Sequence, residues 1–467
     1  MDERRRRVLG LFGTIGIMGV AGCGTLAGDG ADKDNSPDDD GDTTNTVSRT
    51  ISPTTKLTAS TTATTTLMDS VSLSEQMSKF ELPDGDQNGE FGRAVALSAD
   101  GSTALISDTR ADISESEDAG MAYIYSLIDG EWSLQAKLAP DSGDLLGEAV
   151  AVSDDGSTAL VGSFRNGDLK GSAYVFERSD GDWSQQVKLT ADDGDSEDQF
   201  GMSVSLANDG SVAVIGAKLD EDPHGSWGGS AYVFSQVGGE WSQQAKLASE
   251  DGDNNEFFGH SVAMSSDGTT ALIGANRERH PNGKFSGSVY VFDSTGESWS
   301  QQAKLLPDDG DEQDEFGWSV ALSDDGTTAL IGAYFDEDPN GQYAGSAYVF
   351  DGTGGAWSQQ AKLFQDDGSE NAQFGRSIGL SASGSAAIIG APRHDEPNES
   401  GSGATYVFSR RGGEWSQQAK LVANDVDSSD DFGWSVYLSG DASTALVGAR
   451  GEEWSESEGW GTAYIFS

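Results

Sequence analysis

Residues Phe316 to Leu363 read FGWSVALSDDGTTALIGAYFDEDPNGQYAGSAYVFDGTGGAWSQQAKL. Four short runs stand out in this stretch: FGWSVALS, TTALIGA, GSAYVF and WSQQAKL. Each is rich in β-branched, aromatic or alternating residues, and each is bounded by Gly, Asp or Asn, as strands are. No run carries a sustained helical period of apolar residues. In the first run Phe316, Val320 and Leu322 share one face, and Gly317, Ser319 and Ala321 share the other. The unit is therefore expected to be a four-stranded antiparallel sheet. Its bulky face should pack on the small-residue face of a neighbour.

The same wording recurs from about residue 91 onward. Phe-Gly opens it at Phe91, Phe200, Phe258, Phe316, Phe374 and Phe432, and Leu146-Gly147 fills the gap in the series. The spacing is 54 to 58 residues. A fixed period of this size marks a repeat architecture. Four antiparallel strands repeated radially make a β-propeller. The fold expected is all-β, a seven-bladed propeller of four-stranded antiparallel blades.

The last copy stops at its third strand, Tyr464-Ile465-Phe466, and the missing outer strand occurs upstream of the first copy. Phe80 precedes Phe91 by the same interval that separates Leu305 from Phe316, which aligns Lys79 with Lys304. The strand at about Ser72 to Leu82 is expected to complete the last blade and close the ring. A lysine recurs in the outer strand at Lys137, Lys188, Lys246, Lys304, Lys362 and Lys420. It reads as a guard of an exposed edge.

The Phe-Gly pair, the Ile331-Gly332-Ala333 run and the Gly-Ser-Ala-Tyr-Val-Phe run resemble the FG-GAP repeats of the integrin α-subunit propeller. Ile389-Gly390-Ala391-Pro392 carries the proline of that family's name. The Trp-Ser-Gln-Gln wording is similar to the bacterial and archaeal surface-protein branch. The resemblance spans about residues 72 to 467 and implies a propeller with an adhesion or envelope-interaction role. Integrin-type repeats often hold calcium in an Asp-rich loop between the first two strands. Ser323-Asp324-Asp325-Gly326-Thr327 is too short to wrap such a cation. It reads as a tight hairpin with a positive-φ glycine. No metal site is carried over and no cofactor is expected.

Three segments follow. Residues 1–23 read as an export leader: Arg5 and Arg6 precede Val8-Leu9 in a twin-arginine pattern. Val20-Ala21-Gly22-Cys23 is similar to a lipobox, with Cys23 the lipidated residue; the alternative is a plain signal peptide with an incidental cysteine. Cys23 is the only cysteine in the chain, so no intrachain disulfide forms. Residues 24–70 form an acidic, then Thr/Ser-rich, linker that cannot bury a core. It is either an O-glycosylated stalk or a bare tether. Residues 71–467 are the propeller. The chain has 28 Lys+Arg against 78 Asp+Glu, a net charge of −50. That excludes a basic nucleic-acid footprint and resembles the acidic coat of a halophile.

Strand direction places the long, variable second-to-third and fourth-to-first loops on one face, where ligands are expected. Loop aromatics there are Phe164, Trp227, Phe285, Tyr334, Phe335, Tyr343, Trp454 and Trp460. They stack on a sugar or protein partner, or they pack over their own blades. Carboxylate runs such as Asp308-Asp309-Gly310-Asp311 and Asp336-Glu337-Asp338 either bind a cation or are solvated. The position after Phe-Gly varies among the copies: Arg93, Glu148, Met202, His260, Trp318, Arg376 and Trp434. Its variation either shapes a pocket or is tolerated surface drift, and drift is the simpler reading. His224, His260, His280 and His394 fall at different repeat positions and form no metal spacing. No nucleophile elbow or phosphate loop appears. The expectation is a monomeric, non-catalytic, lipid-anchored surface propeller that binds a surface protein or glycan. The alternative is a surface hydrolase or lyase acting on polysaccharide.

Overall fold

The computed structural model describes residues 71–467 except 72, 83–88, 112–118, 141–145, 222, 280–282, 297, 338–339, 397–399, 426–427 and 452–460. The leader with Arg5, Arg6 and Cys23, the linker, His280, Trp454 and Trp460 lie outside the described residues. Among the described residues every named element is a strand, and the strands form seven four-stranded antiparallel sheets. In the repeat quoted above the order is Ser319–Leu322, Thr328–Ala333, Ser346–Asp351 and Ser358–Leu363. The first strands of successive sheets pack against one another around the axis, and that of the last sheet packs on that of the first. The result is a closed seven-bladed β-propeller.

Closure is as the alignment of Lys79 with Lys304 predicts. Gln76–Phe80 pairs with Thr462–Phe466, placing Lys79 opposite Tyr464 and Phe80 opposite Ala463. An ordinary blade sets Lys304 opposite Tyr290 and Leu305 opposite Val289. The Gln76 side chain accepts the Asn424 N–H at 3.0 Å, as Gln301 accepts that of Glu250.

Blade faces pack as the alternation requires. Phe316, Val320 and Leu322 bury against Ala263, Leu272, Val289 and Val291 of the preceding blade. Ala321 and Leu330 face Ile378 and Leu380 of the following one. The serine two residues after Phe-Gly reaches across to the next blade: Ser261 Oγ donates to the Gly317 carbonyl at 2.8 Å, and Ser435 Oγ to that of Gly92 at 2.7 Å.

The first-to-second hairpins add a second circular constraint. Asp324 N–H donates to Ala382 O, Ala382 to Gly440, Gly440 to Ala99, Ala99 to Asp154, Asp154 to Asn208, Asn208 to Ser266, and Ser266 back to Asp324, all at 3.0–3.1 Å. One backbone hydrogen bond per blade thus links the hairpins into a ring. In six of the seven hairpins an aspartate is occupied, with Ser383 in its place in the other: Asp325 Oδ1 accepts Ser323 Oγ at 2.7 Å and the Thr327 N–H at 3.0 Å, and Gly326 supplies φ 69°.

Candidate functional site

The site is built by a distortion of the first strand. Phe200 pairs with Ala217, yet the next pair is Ser203 with Gly216, so Gly201 and Met202 are bulged out of the ladder. The same shift occurs at Phe258/Ser261 and Phe432/Ser435. Bulges re-aim side chains, and in these three blades they take the residue after Phe-Gly out of the ladder. All seven are buried, from 1% exposed at Met202 and His260 to 5% at Arg93. The reading of this position as surface drift is therefore wrong. Alternation along a regular strand cannot account for it, because the bulge takes the residue out of the pleat.

These side chains meet. Arg93 Nη2 pairs with Glu148 at 2.9 Å and the guanidinium lies 5.5 Å from the Trp434 ring. The Arg376 guanidinium lies 3.8 Å from the Trp434 ring and 5.2 Å from that of Trp318, and His260 packs on Trp318 at 4.5 Å. Met202 packs on Phe164 from the second-to-third loop. Of the seven, His260, Trp318, Arg376 and Trp434 line a cavity of about 270 Å³, together with Lys218 and Phe335 among others. It opens among the second-to-third and fourth-to-first loops.

Two further repeat positions build its wall. The residue before each Phe is one: Phe257, Glu315 and Gln373 line the cavity. These three adopt positive φ, at 59°, 52° and 58°, a conformation uncommon for non-glycine residues. The residues just after the second strand are the other: Lys218, Asn276, Arg277, Tyr334, Phe335 and Arg393. The sequence signal that could have found them is variability at fixed offsets from the recurring Phe-Gly and Gly-Ala pairs.

The wall is cationic although the chain is strongly acidic. Arg93 and Arg110 contact Glu90, Arg277 contacts Glu315 at 3.7 Å, and Arg393 and Arg450 each contact Asp431 at 3.2 Å. Among the described residues Arg376 and Lys218 have no such carboxylate. Arg376 Nε and Nη2, Lys218 Nζ and both His260 ring nitrogens are buried without a protein partner. Burial pushes Lys218 down to about 7 and Arg376 to about 9. Burial and the cations Lys218, Arg277 and Arg376 hold His260 well below the usual imidazole range, so it is neutral.

The acidic loops are arranged differently from either reading of them. Lys362 Nζ sits between Asp309 at 2.8 Å and Asp336 at 2.9 Å, above the Tyr348 ring, whose hydroxyl donates to Asp336 at 2.7 Å. Lys246 repeats this with Asp193 and Asp220, and Lys304 with Asp251 and Glu278. In these blades the outer-strand lysine is thus a clamp between loops rather than a free edge guard. In the next blade His394 replaces the carboxylate, and its ring contacts Lys420 at 2.9 Å. Among the described residues no His, Cys, Asp and Glu cluster has metal-holding geometry.

The loop aromatics divide. Phe164 and Tyr334 are buried at the mouth. Tyr334 stacks between Trp318 at 4.3 Å and Phe335 at 3.8 Å. Phe335 touches Tyr343, Phe285 lies under Arg277 and Lys284, and Trp227 remains exposed against Phe257.

The FG-GAP repeat profile matches residues 74–125, 132–176, 183–234, 241–292, 299–350, 357–408 and 415–466. Each match begins with the outer strand of one blade and runs through three strands of the next, so the first begins on the closing strand. No curated protein matches the chain.

Proposed function

The chain belongs to the FG-GAP repeat family, and from that premise we propose that it is a non-catalytic interaction scaffold displayed at a cell surface. The observation that carries the reading is the axial mouth. Variable side chains from several blades converge there on a rigid ring, and binding residues are commonly held by such scaffolds. The twin-arginine pattern at Arg5 and Arg6 and the lipobox-like Cys23 support export and lipid anchoring to the outer face of the membrane. Residues 24–70 act as the tether. The acidic composition supports a halophilic setting, and the partner is a surface protein or glycan. Capture of surface glycans and proteins by the full chain in molar salt, with and without chelator, tests this. Specific capture supports the scaffold, whereas no capture under any condition overturns it.

A second reading, a surface hydrolase or lyase acting on polysaccharide, is favoured by His260. This imidazole is neutral, unpartnered and surrounded by cations, as a general base beside a charge-neutralising group would be. Chain shortening of acidic exopolysaccharide by wild type but not by His260→Ala would establish it.

A further inference from the structure

We propose that the axial mouth binds an acidic pyranose, its carboxylate on Arg376 and Lys218 and its ring against the rim aromatics. This rests on the scaffold reading and names the ligand of its site.

Arg376 and Lys218 are both buried, at 4% and 1% exposed, and neither has a carboxylate partner. A buried cation left unpaired is costly. Arg93, Arg110, Arg277, Arg393 and Arg450 each form a direct ion pair with Glu90, Glu148, Glu315 or Asp431. The two free donors of Arg376 and the Lys218 ammonium thus mark a place for one anionic group that the protein does not supply. A carboxylate matches the guanidinium fork.

The rest of the cavity selects a ring. Phe257 and Phe335 are half-buried at the rim, while Trp318 and Trp434 form the floor. An aspartate or glutamate side chain would fill the charge but leave these faces bare; a pyranose covers them. About 270 Å³ lies just under the ~300–1,000 Å³ of drug-sized sites, which suits one sugar unit. The acidic exterior does not bar an acid in molar salt, where charges are screened beyond roughly 3 Å.

Binding should hold a proton on Lys218, which faces Glu148, Glu315, Arg93 and Arg277 as well as His260. Affinity then falls as pH rises above 7, by up to about tenfold per unit.

The experiment is titration of galacturonate and of galactose into the full chain in molar salt, followed by calorimetry or ligand-observed NMR. Galacturonate should bind at least about tenfold tighter than galactose. Arg376→Met and Lys218→Met should each weaken it roughly 10- to 100-fold, with melting temperatures held or raised because a buried charge is gone. Equal binding of galactose, no binding of galacturonate, or unchanged binding by both variants overturns the proposal. So does an acidic dipeptide that binds while galacturonate does not. Partner capture that persists under saturating galacturonate refutes this ligand and leaves the scaffold reading standing.

Discussion

Gly274 shows how close two blades come. A Cβ there would lie 2.2 Å from the Gly317 carbonyl and 2.3 Å from Ser261 Oγ, the two partners of the interblade hydrogen bond. Gly274→Ala should destabilise the fold by about 1–3 kcal/mol through overpacking, read by denaturant melting. In the first blade Ser107 occupies this position and Ala94 replaces the serine. The hydroxyl changes strand, and Ser107 Oγ accepts the Ala94 N–H at 3.0 Å. Titration is also a residue-scale matter. Burial and the nearby Glu278 push Glu256 up to about 8 from 4.5. The folded chain thus keeps a proton that the unfolded chain releases, and stability is lost as pH climbs through 4.5 to 8. Glu256→Gln should raise the melting temperature at pH 8 and flatten that dependence, since an amide oxygen can still accept the Asp253 N–H. The recurrence of these glycines was plain in the sequence. Their reason was not, because it lies in a neighbouring blade.

At the scale of elements, the strands were legible because each carries its own alternation and its own Gly or Asp boundaries. The closing strand was legible from one spacing, and Lys79 repeats the clamp with Asp425 at 2.7 Å and the Tyr464 ring at 5.9 Å. The mouth was only half legible. Strand direction pointed to the correct loops for it, yet the bulge after Phe-Gly obeys no two-residue period, so the buried ring of variable residues read as surface. Removing residues 1–82 should leave the edge of Thr462–Phe466 unpaired. An unpaired edge recruits other chains, so that variant should associate on size-exclusion chromatography and lose its cooperative melt. A peptide of residues 71–82 added in trans should reverse both effects. A monomeric truncation with an unchanged melt would contradict the closure.

Across the whole molecule, the net charge of −50 opposes compaction through self-repulsion, and the lysine clamps offset it locally in several blades. Salt screens what remains. The melting temperature should therefore rise from millimolar to molar salt, and a melt that does not move would exclude the halophilic reading. Fold class and blade number followed from the four strand-like runs of the repeat, the seven copies and the spacing that places Lys79 with Lys304. Ligand chemistry did not, because it depends on cations drawn from several blades that are far apart in sequence.

The pairing of Gln76–Phe80 with Thr462–Phe466 also fixes an order of events. The strand Gln76–Phe80 must wait, without its neighbour, until Thr462–Phe466 has been made. Until then the growing ring of blades has a gap, and a prematurely terminated product keeps that gap for good. Intactness at one end of the polypeptide is thereby made a condition for finishing the other.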